Sequence, residues 1–248
     1  MVRLNAIFRQ AAGSTIITNA HRVNRGEKPL LNAAGSTDFF LFHCTEPEPA
    51  AELVRELVAT RIPAKFGLQP DEIQVLSPMH RGANGTLALN ASLQAALNPV
   101  PKEAGAELRA GERVFRAGDR VMQTANDYER DVMNGDLGHV LHVNPQTRQL
   151  SVDFDGRVAT YEDGDLDSLL HAWCITIHKS QGSEFPAVVI PLLLSDYVML
   201  QRNLLYTAIT RARRLVVLVG SDAAIARAVQ NDQVALRYSG LLDRLDGV

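Results

Sequence analysis

Hydrophobic and polar positions follow one rhythm toward both ends of the chain and another in its middle. Residues 14–25, STIITNAHRVNR, carry apolar side chains at helical spacing, with Ser14 placed to cap the start and Gly26 where a helix would stop. DFFLFHC (38–44) reads as a short strand. TEPEPAAELVRELVATRI (45–62) reads as a helix whose stripe is Leu53, Val54, Leu57 and Val58, and Thr45 and Glu48 have capping-box spacing. EIQVLSP (72–78) predicts a buried strand that ends in the loop MHRGANGT, after which TLALNASLQAAL (86–97) returns to helix.

From Pro99 to about Glu112 the chain is rich in proline, glycine and charge, which predicts a linker or loop. From Gly118 to about Asp163 the period becomes two. DRVMQ, LGHVLHV, QLSVDF and RVATY are separated by the turn signals NGD, NPQT and DG, the pattern of a small antiparallel barrel or meander. Beyond it, AWCITIH, AVVIPLLL and RLVVLVG are nearly continuous apolar runs, as expected of a parallel sheet covered on both faces. They alternate with the predicted helices VMLQRNLLYTAITRA (198–212) and DAAIARAVQ (222–230). The expected fold is α/β: a parallel-sheet domain over residues 1–117 and 166–248, interrupted by an all-β insert at 118–165.

Composition changes this picture little. Among 248 residues, 46% are hydrophobic and 21% charged, enough for a sizeable core. The net charge of −3 gives no global attraction to a polyanion, so any such site must be a local patch. Two cysteines, Cys44 and Cys174, fit reduced thiols better than a disulfide framework. No apolar run is long enough to span a bilayer and MVRLNAIFRQ lacks a signal-peptide core, so the expected location is the cytoplasm, with no membrane partner.

The candidate chemistry is concentrated in a few loops. ITIHKSQGSEFPAVVI (175–190) leads from one strand to another through a polar loop. It offers the hydroxyls of Thr176, Ser180 and Ser183, the side chains of His178, Lys179 and Gln181, and the backbone of Gly182, a set suited to phosphate oxygens. A solvated loop with a helix cap accounts for the same composition equally well. In LLYTAITRARRLVVLVG (204–220), Arg211 falls at a helix end, where it could complement the helix dipole or serve as an arginine finger for a transferring phosphoryl group. Arg213 and Arg214 read as solvated or snorkelling residues. AIFRQ (6–10) supplies Arg9. VLSPMHRGANGT (75–86) is a glycine-bearing loop before a helix N-terminus, a place that can hold an anion.

Several chemistries lack support. The sequence contains no Gly-Lys dipeptide, so it has no Walker A element, and no apolar strand runs into Asp-Glu or Asp-Asp. This chain alone is expected not to hydrolyse a nucleoside triphosphate. Seven scattered histidines and two unpaired cysteines give no metal-site spacing, and QGSEF does not match a serine-nucleophile elbow.

Taken in order, LNAIFRQAAGSTIITNAHRVNRG, VLSPMHRGANGTLALNASLQ, GDRVMQTANDYERDVMNGDLGHV, TIHKSQGSEFPAVVIP and NLLYTAITRARRLVVLVG resemble the second half of a superfamily 1 DNA helicase, most closely the RecD-like, 5′-to-3′ branch. The resemblance covers most of residues 1–220. It implies a second RecA-like motor domain with a small Src-homology-3-like barrel inserted as the period-two region. A first motor domain, with the P-loop lysine and magnesium carboxylate, would lie upstream and hold ATP and Mg2+.

The resemblance also implies roles for individual residues. Arg9 and Arg211 would reach the γ-phosphate across the interdomain cleft and act catalytically. Gln181, Gly182 and Glu184 would lie at the nucleotide, Gly182 through its backbone and Glu184 at the ribose. Met79, His80, Arg81, Thr176, His178, Lys179 and Ser180 would face single-stranded DNA, with Gln123 and Asn134 as further strand contacts from the insert. Partners implied are single-stranded DNA, the N-terminal motor domain of the same parent, and, left open, other recombination or repair proteins. The alternative retained is a non-catalytic single-stranded nucleic-acid-binding module, which needs none of Arg9, Arg211 and Glu184.

Overall fold

A computed structural model describes residues 14–33, 35–100 and 107–232. A five-stranded, all-parallel sheet forms the main unit: β1 (Phe39–His43), β2 (Ile73–Ser77), β10 (Cys174–Thr176), β11 (Phe185–Leu192) and β12 (Ala212–Gly220), in the order β1-β12-β11-β2-β10. Alternate residues of each strand feed opposite cores. Val188, Ile190, Val216 and Leu218 pack on one face with Ile16, Ala20, Leu204, Leu205 and Ile225 from α1 (Thr15–Asn24), α5 (Arg202–Ile209) and α6 (Asp222–Gln230). Ala187, Val189, Leu215 and Val217 pack on the other with Ala50, Val54, Leu89 and Leu93 from α2 (Pro47–Glu56) and α4 (Thr86–Leu97). This double burial is why β11 and β12 read as unbroken apolar runs.

Most expected elements form, and the departures have local causes. Ser14 caps α1, its hydroxyl accepting from the Ile16 amide and donating to Asp38. The Thr45–Glu48 capping box does not form: α2 starts behind Glu46 with Pro47 in its first turn, where a missing N–H costs nothing. The helix expected through residue 62 continues to Phe66 as α3 (Ile62–Phe66), after a π-helical turn at Leu57–Arg61. There Ile62 donates to the Leu57 carbonyl one residue further back than usual, ahead of Pro63, which cannot donate and would crowd the preceding turn. The helix expected over 198–212 is shorter, because α5 ends at Ile209 and β12 already begins at Ala212.

The all-β unit is larger than expected. It begins within the stretch read as a linker, with the hairpin β3 (Glu107–Ala110) and β4 (Arg113–Arg116). A second sheet follows in the order β8-β7-β6-β5-β9, from β5 (Arg120–Gln123), β6 (Leu137–Asn144), β7 (Gln149–Phe154), β8 (Arg157–Tyr161) and β9 (Leu169–His171). Leu108 and Phe115 of the hairpin share one core with Val121, Val152, Tyr161 and Leu169, so the expected limits of 118 and 165 both fall inside this unit. The DG turn takes the left-handed backbone that a tight hairpin needs, with φ of 51° at Asp155 and 89° at Gly156.

The barrel unit is joined to the parallel sheet by buried polar contacts. Asp119 accepts from Gln94 Nε2 (2.6 Å), Asn98 Nδ2 (2.8 Å) and the Arg116 amide (2.8 Å), with His171 Nε2 at 3.3 Å. Next to it, the buried Arg120 guanidinium donates to the Asp71 carbonyl (3.1 Å) and lies over the Phe185 ring. Burial draws its pKa down to about 10, so it stays protonated at neutral pH. Cys44 and Cys174 are free thiols. Among the described residues, no helix is long and apolar enough to cross a membrane.

Candidate functional site

Parallel pairing gives the main sheet a carboxyl edge and an amino edge, and the candidate residues divide between them. At the carboxyl edge, β2 and β10 end side by side, with Ser77 opposite Thr176 and the Ile177 amide donating to the Ser77 carbonyl at 3.2 Å. The loops MHRGANG and IHKS therefore leave the sheet as neighbours.

The first loop folds back tightly onto the start of α4. The Thr86 amide donates to Met79 O (3.1 Å) and the Leu87 amide to His80 O (3.3 Å). Gly85 permits this closure, because a Cβ there would lie 2.5 Å from the Arg81 carbonyl oxygen. His80 and Arg81 are left exposed, with His80 Nδ1 2.8 Å from Thr86 Oγ1. In the second loop, His178 and Lys179 are exposed and Thr176 half-buried, its hydroxyl accepting from the Lys179 amide. Partial desolvation lowers the pKa of Lys179. One amide missed from sequence holds this edge together: Asn90 of α4 donates to Cys174 O and accepts from Cys174 N, both at 2.8 Å. It occupies the open side of the edge strand β10, and only the fold brings it there.

Two expected strand contacts are not surface groups. Ser180 is fully buried and its hydroxyl donates to the Ile177 carbonyl at 2.7 Å, closing the loop from inside. Gln123 is 1% exposed, and its side-chain oxygen accepts from Tyr161 Oη at 3.0 Å within the barrel core. Asn134 is exposed, on the excursion 124–134 between β5 and β6, where its amide donates to Asn126 Oδ1. That excursion borders a shallow concavity of about 500 Å3 that includes Tyr128, Arg130 and Asp165.

The amino edge carries the arginines. β11 pairs with β2 from Ala187 opposite Ile73, whereas β10 ends level with Ser77. Residues 177–184 therefore run the length of the sheet, from its carboxyl to its amino edge. Gln181 and Gly182 are exposed on this run, and Gly182 takes a left-handed φ of 91° with open space where a side chain would be. At its far end Arg211 Nη1 donates to Ser183 O (3.1 Å), and the Phe185 amide donates to Arg211 O (2.9 Å). Arg211 Nε also reaches Thr207 O (3.2 Å), so the guanidinium caps the carboxyl end of α5 as well. Glu184 pairs with Arg213, Nε to Oε2, at 2.7 Å. Arg213 is exposed, as expected of a solvated residue, and makes this contact from the surface. Arg9 lies outside the described residues. Among the described residues, no three His, Cys, Asp or Glu side chains are grouped so as to hold a metal ion.

Comparison with known proteins matches both units. Residues 89–154 match the model of the ATP-dependent RecD-like DNA helicase SH3 domain, and residues 171–219 that of the UvrD-like helicase C-terminal domain. The chain is 38% identical over 250 residues to the ATP-dependent RecD2 DNA helicase of Deinococcus radiodurans, an alignment covering 98% of this chain and 32% of that protein. It is 39% identical over 177 residues to the RecBCD enzyme subunit RecD of Mycobacterium tuberculosis, covering 71% of this chain and 29% of the relative. The chain thus spans about a third of the length of these relatives. A Pif1 helicase from Bacteroides, solved in complex with ADP-AlF3 and ssDNA, shares the fold with a TM-score of 0.54 at 20% identity, over 99% of this chain and 56% of that one. With a RecD-type barrel set into a parallel-sheet domain of the UvrD-like kind, the chain belongs to the RecD-like superfamily 1 helicases and corresponds to their C-terminal half.

Proposed function

We propose that this chain is the C-terminal motor half of an ATP-dependent, 5′-to-3′ DNA helicase of RecD type. In this reading it grips single-stranded DNA at the carboxyl edge of its sheet. At the amino edge it presents Arg211 to ATP and Mg2+ held mainly by an N-terminal motor domain of the same parent protein, and Arg9 is the second arginine that acts on the γ-phosphate. Gln181, Gly182 and Glu184 face the same nucleotide, with Glu184 at the ribose.

The observation that carries the reading is the course of residues 177–184. This segment leaves β10 at Thr176, bears His178 and Lys179 where it starts, and is bonded to Arg211 where it ends. In this reading a change in position at one edge is passed to the other along this segment and its bond to the Arg211 guanidinium. Guanidinium groups stabilise the charge on a transferring phosphoryl group and attract a γ-phosphate only while it is present. Closure on ATP and release after hydrolysis would displace the segment and, with it, the grip on DNA. Arg81, Lys179, His80, His178 and Thr176 contact phosphates in this scheme, with Met79 packed beside them, so binding is independent of base sequence and sensitive to salt.

The test is Arg211→Ala in the full-length helicase. DNA-stimulated ATP hydrolysis should fall by roughly 10³-fold or more while single-strand affinity is retained. Undiminished turnover would refute the assignment and favour a non-catalytic DNA-binding module. The chain by itself should show no ATPase activity, and magnesium-dependent hydrolysis by it would contradict the reading.

A further inference from the structure

The geometry points to Arg213 as a positioning residue of the nucleotide site, one that holds the Glu184 carboxylate in place for a ribose hydroxyl. This inference rests on the reading that Glu184 meets the nucleotide.

Register explains how Arg213 comes to face Glu184. β11 and β12 pair Phe185 with Ala212 and then Ala187 with Leu215, so β12 uses one residue more than its neighbour over this step. A bulge of this kind leaves the extra residue unpaired and redirects a side chain. Arg213 and Arg214 are the exposed residues of an otherwise buried strand, and the Arg213 guanidinium is turned back over the start of β11 onto Glu184. The same corner is closed by Arg211, bonded to the carbonyl just before Glu184 and accepting from the amide just after it.

Stability does not account for the pair. The Arg213 side chain is 60% exposed and that of Glu184 21%, and ion pairs so open to water add little to folding. What the contact does is directional. A glutamate has several rotatable bonds, and a charge-assisted hydrogen bond to one carboxylate oxygen restricts them. The guanidinium also offsets a negative charge that would otherwise repel the phosphates of the same nucleotide. Glu184 thereby keeps its ability to accept a hydrogen bond without making the site more anionic.

The experiment measures KM for ATP and for 2′,3′-dideoxy-ATP in the full-length helicase at saturating single-stranded DNA. Wild type should favour ATP. Arg213→Ala should raise KM for ATP about tenfold, the scale of one hydrogen bond to a charged group, and leave KM for the dideoxy nucleotide nearly unchanged. Arg213→Lys, which keeps a charged donor, should restore most of the preference, with thermal stability and DNA affinity as in wild type. If Arg213→Ala keeps the wild-type ratio of the two KM values, or raises both equally, the inference is wrong while the nucleotide site stands. If wild type itself does not distinguish the two nucleotides, the ribose role of Glu184 fails and the inference fails with it.

Discussion

Arg211 donates from Nη1 to the carbonyl oxygen of Ser183 at 3.1 Å, tying the end of α5 to the loop that crosses the sheet. The same guanidinium donates to Thr207 O and Thr210 Oγ1, so its plane is set by acceptors lying in different directions. A lysine keeps the charge but has a compact ammonium in place of the planar fork. Arg211→Lys in the full-length helicase should therefore lose nearly as much turnover as the alanine variant, roughly 10³-fold, with melting temperature close to wild type. Steady-state ATPase assays with saturating single-stranded DNA measure this. A lysine variant turning over at the wild-type rate would show that charge alone is sufficient.

The two carboxyl-edge loops make a prediction about salt. Arg81 and Lys179 are exposed cations on loops that leave adjacent strands, whereas Ser180 is buried beneath them. Replacing either cation with alanine should flatten the plot of log affinity against log salt by about 0.7 for a single strand, whatever the base sequence. Ser180→Ala should leave that slope unchanged and lower the melting temperature, because the Ile177 carbonyl loses the shorter of its two hydrogen bonds from Ser180. Anisotropy titrations at several salt concentrations distinguish these outcomes. Equal slopes for all three variants would place the strand elsewhere.

Lys179 adds a pH dependence to the same experiment. Desolvation lowers its pKa in the free protein, and a phosphate beside it would raise it again. The protonated form binds better, so affinity should fall as pH rises toward the ordinary lysine value of about 10.4. The fall should begin below that value and be absent in Lys179→Met. An identical pH profile for the two proteins would remove Lys179 from the interface.

What could be read from the chain depended on how local the cause was. β11 and β12 were legible as buried parallel strands because covering both faces demands apolar residues at every position, Val188 through Leu192 and Leu215 through Val219. The loops holding Arg81 and Lys179 were legible because strand ends and glycines punctuate them. Arg213 was not, since its direction comes from a bulge that exists only in the pairing of two strands. Ser180 and Gln123 misled for the opposite reason: polar side chains suggest solvent, yet both have their hydrogen bonds met inside the fold. The barrel boundary was missed because Glu107–Arg116 carries turn-like composition, while the core that Leu108 and Phe115 enter is completed by residues as far along the chain as Tyr161 and Leu169.

The junction at Asp119 should be a weak point for substitution. Its carboxylate is completely buried and accepts from Gln94, Asn98 and the Arg116 amide, with His171 alongside. Asp119→Ala removes the acceptor and strands these donors, a loss of about 3 kcal/mol or more. Urea unfolding of the chain measures it. Because α4 starts at the His80–Arg81 loop and ends at this junction, the variant should also weaken single-strand binding under conditions where it is still folded. Wild-type stability in Asp119→Ala would mean that the barrel is held by its apolar contacts alone.

Asp196 predicts a stability profile of the reverse sign to that of an ordinary ion-paired acid. It is 8% exposed, in the 3-10 turn Leu194–Asp196 that follows β11, and its Oδ2 has no hydrogen-bond partner among the described residues. Burial raises its carboxyl pKa in the folded state, outweighing the backbone and Ser195 hydrogen bonds that lower it. A raised carboxyl binds its proton more tightly folded than unfolded. Its contribution to stability is therefore full below the unfolded value of about 3.9 and declines as pH rises through the interval up to the folded pKa. Above that interval wild type carries a buried, partly unpartnered charge. Asp196→Asn keeps the shape of the neutral acid and cannot ionise, so it should be more stable than wild type at neutral pH, with the advantage shrinking on acidification. Thermal unfolding of both proteins across pH isolates this one group, because every other titration is common to the pair. Parallel profiles would show that the Asp196 carboxylate has a partner when charged.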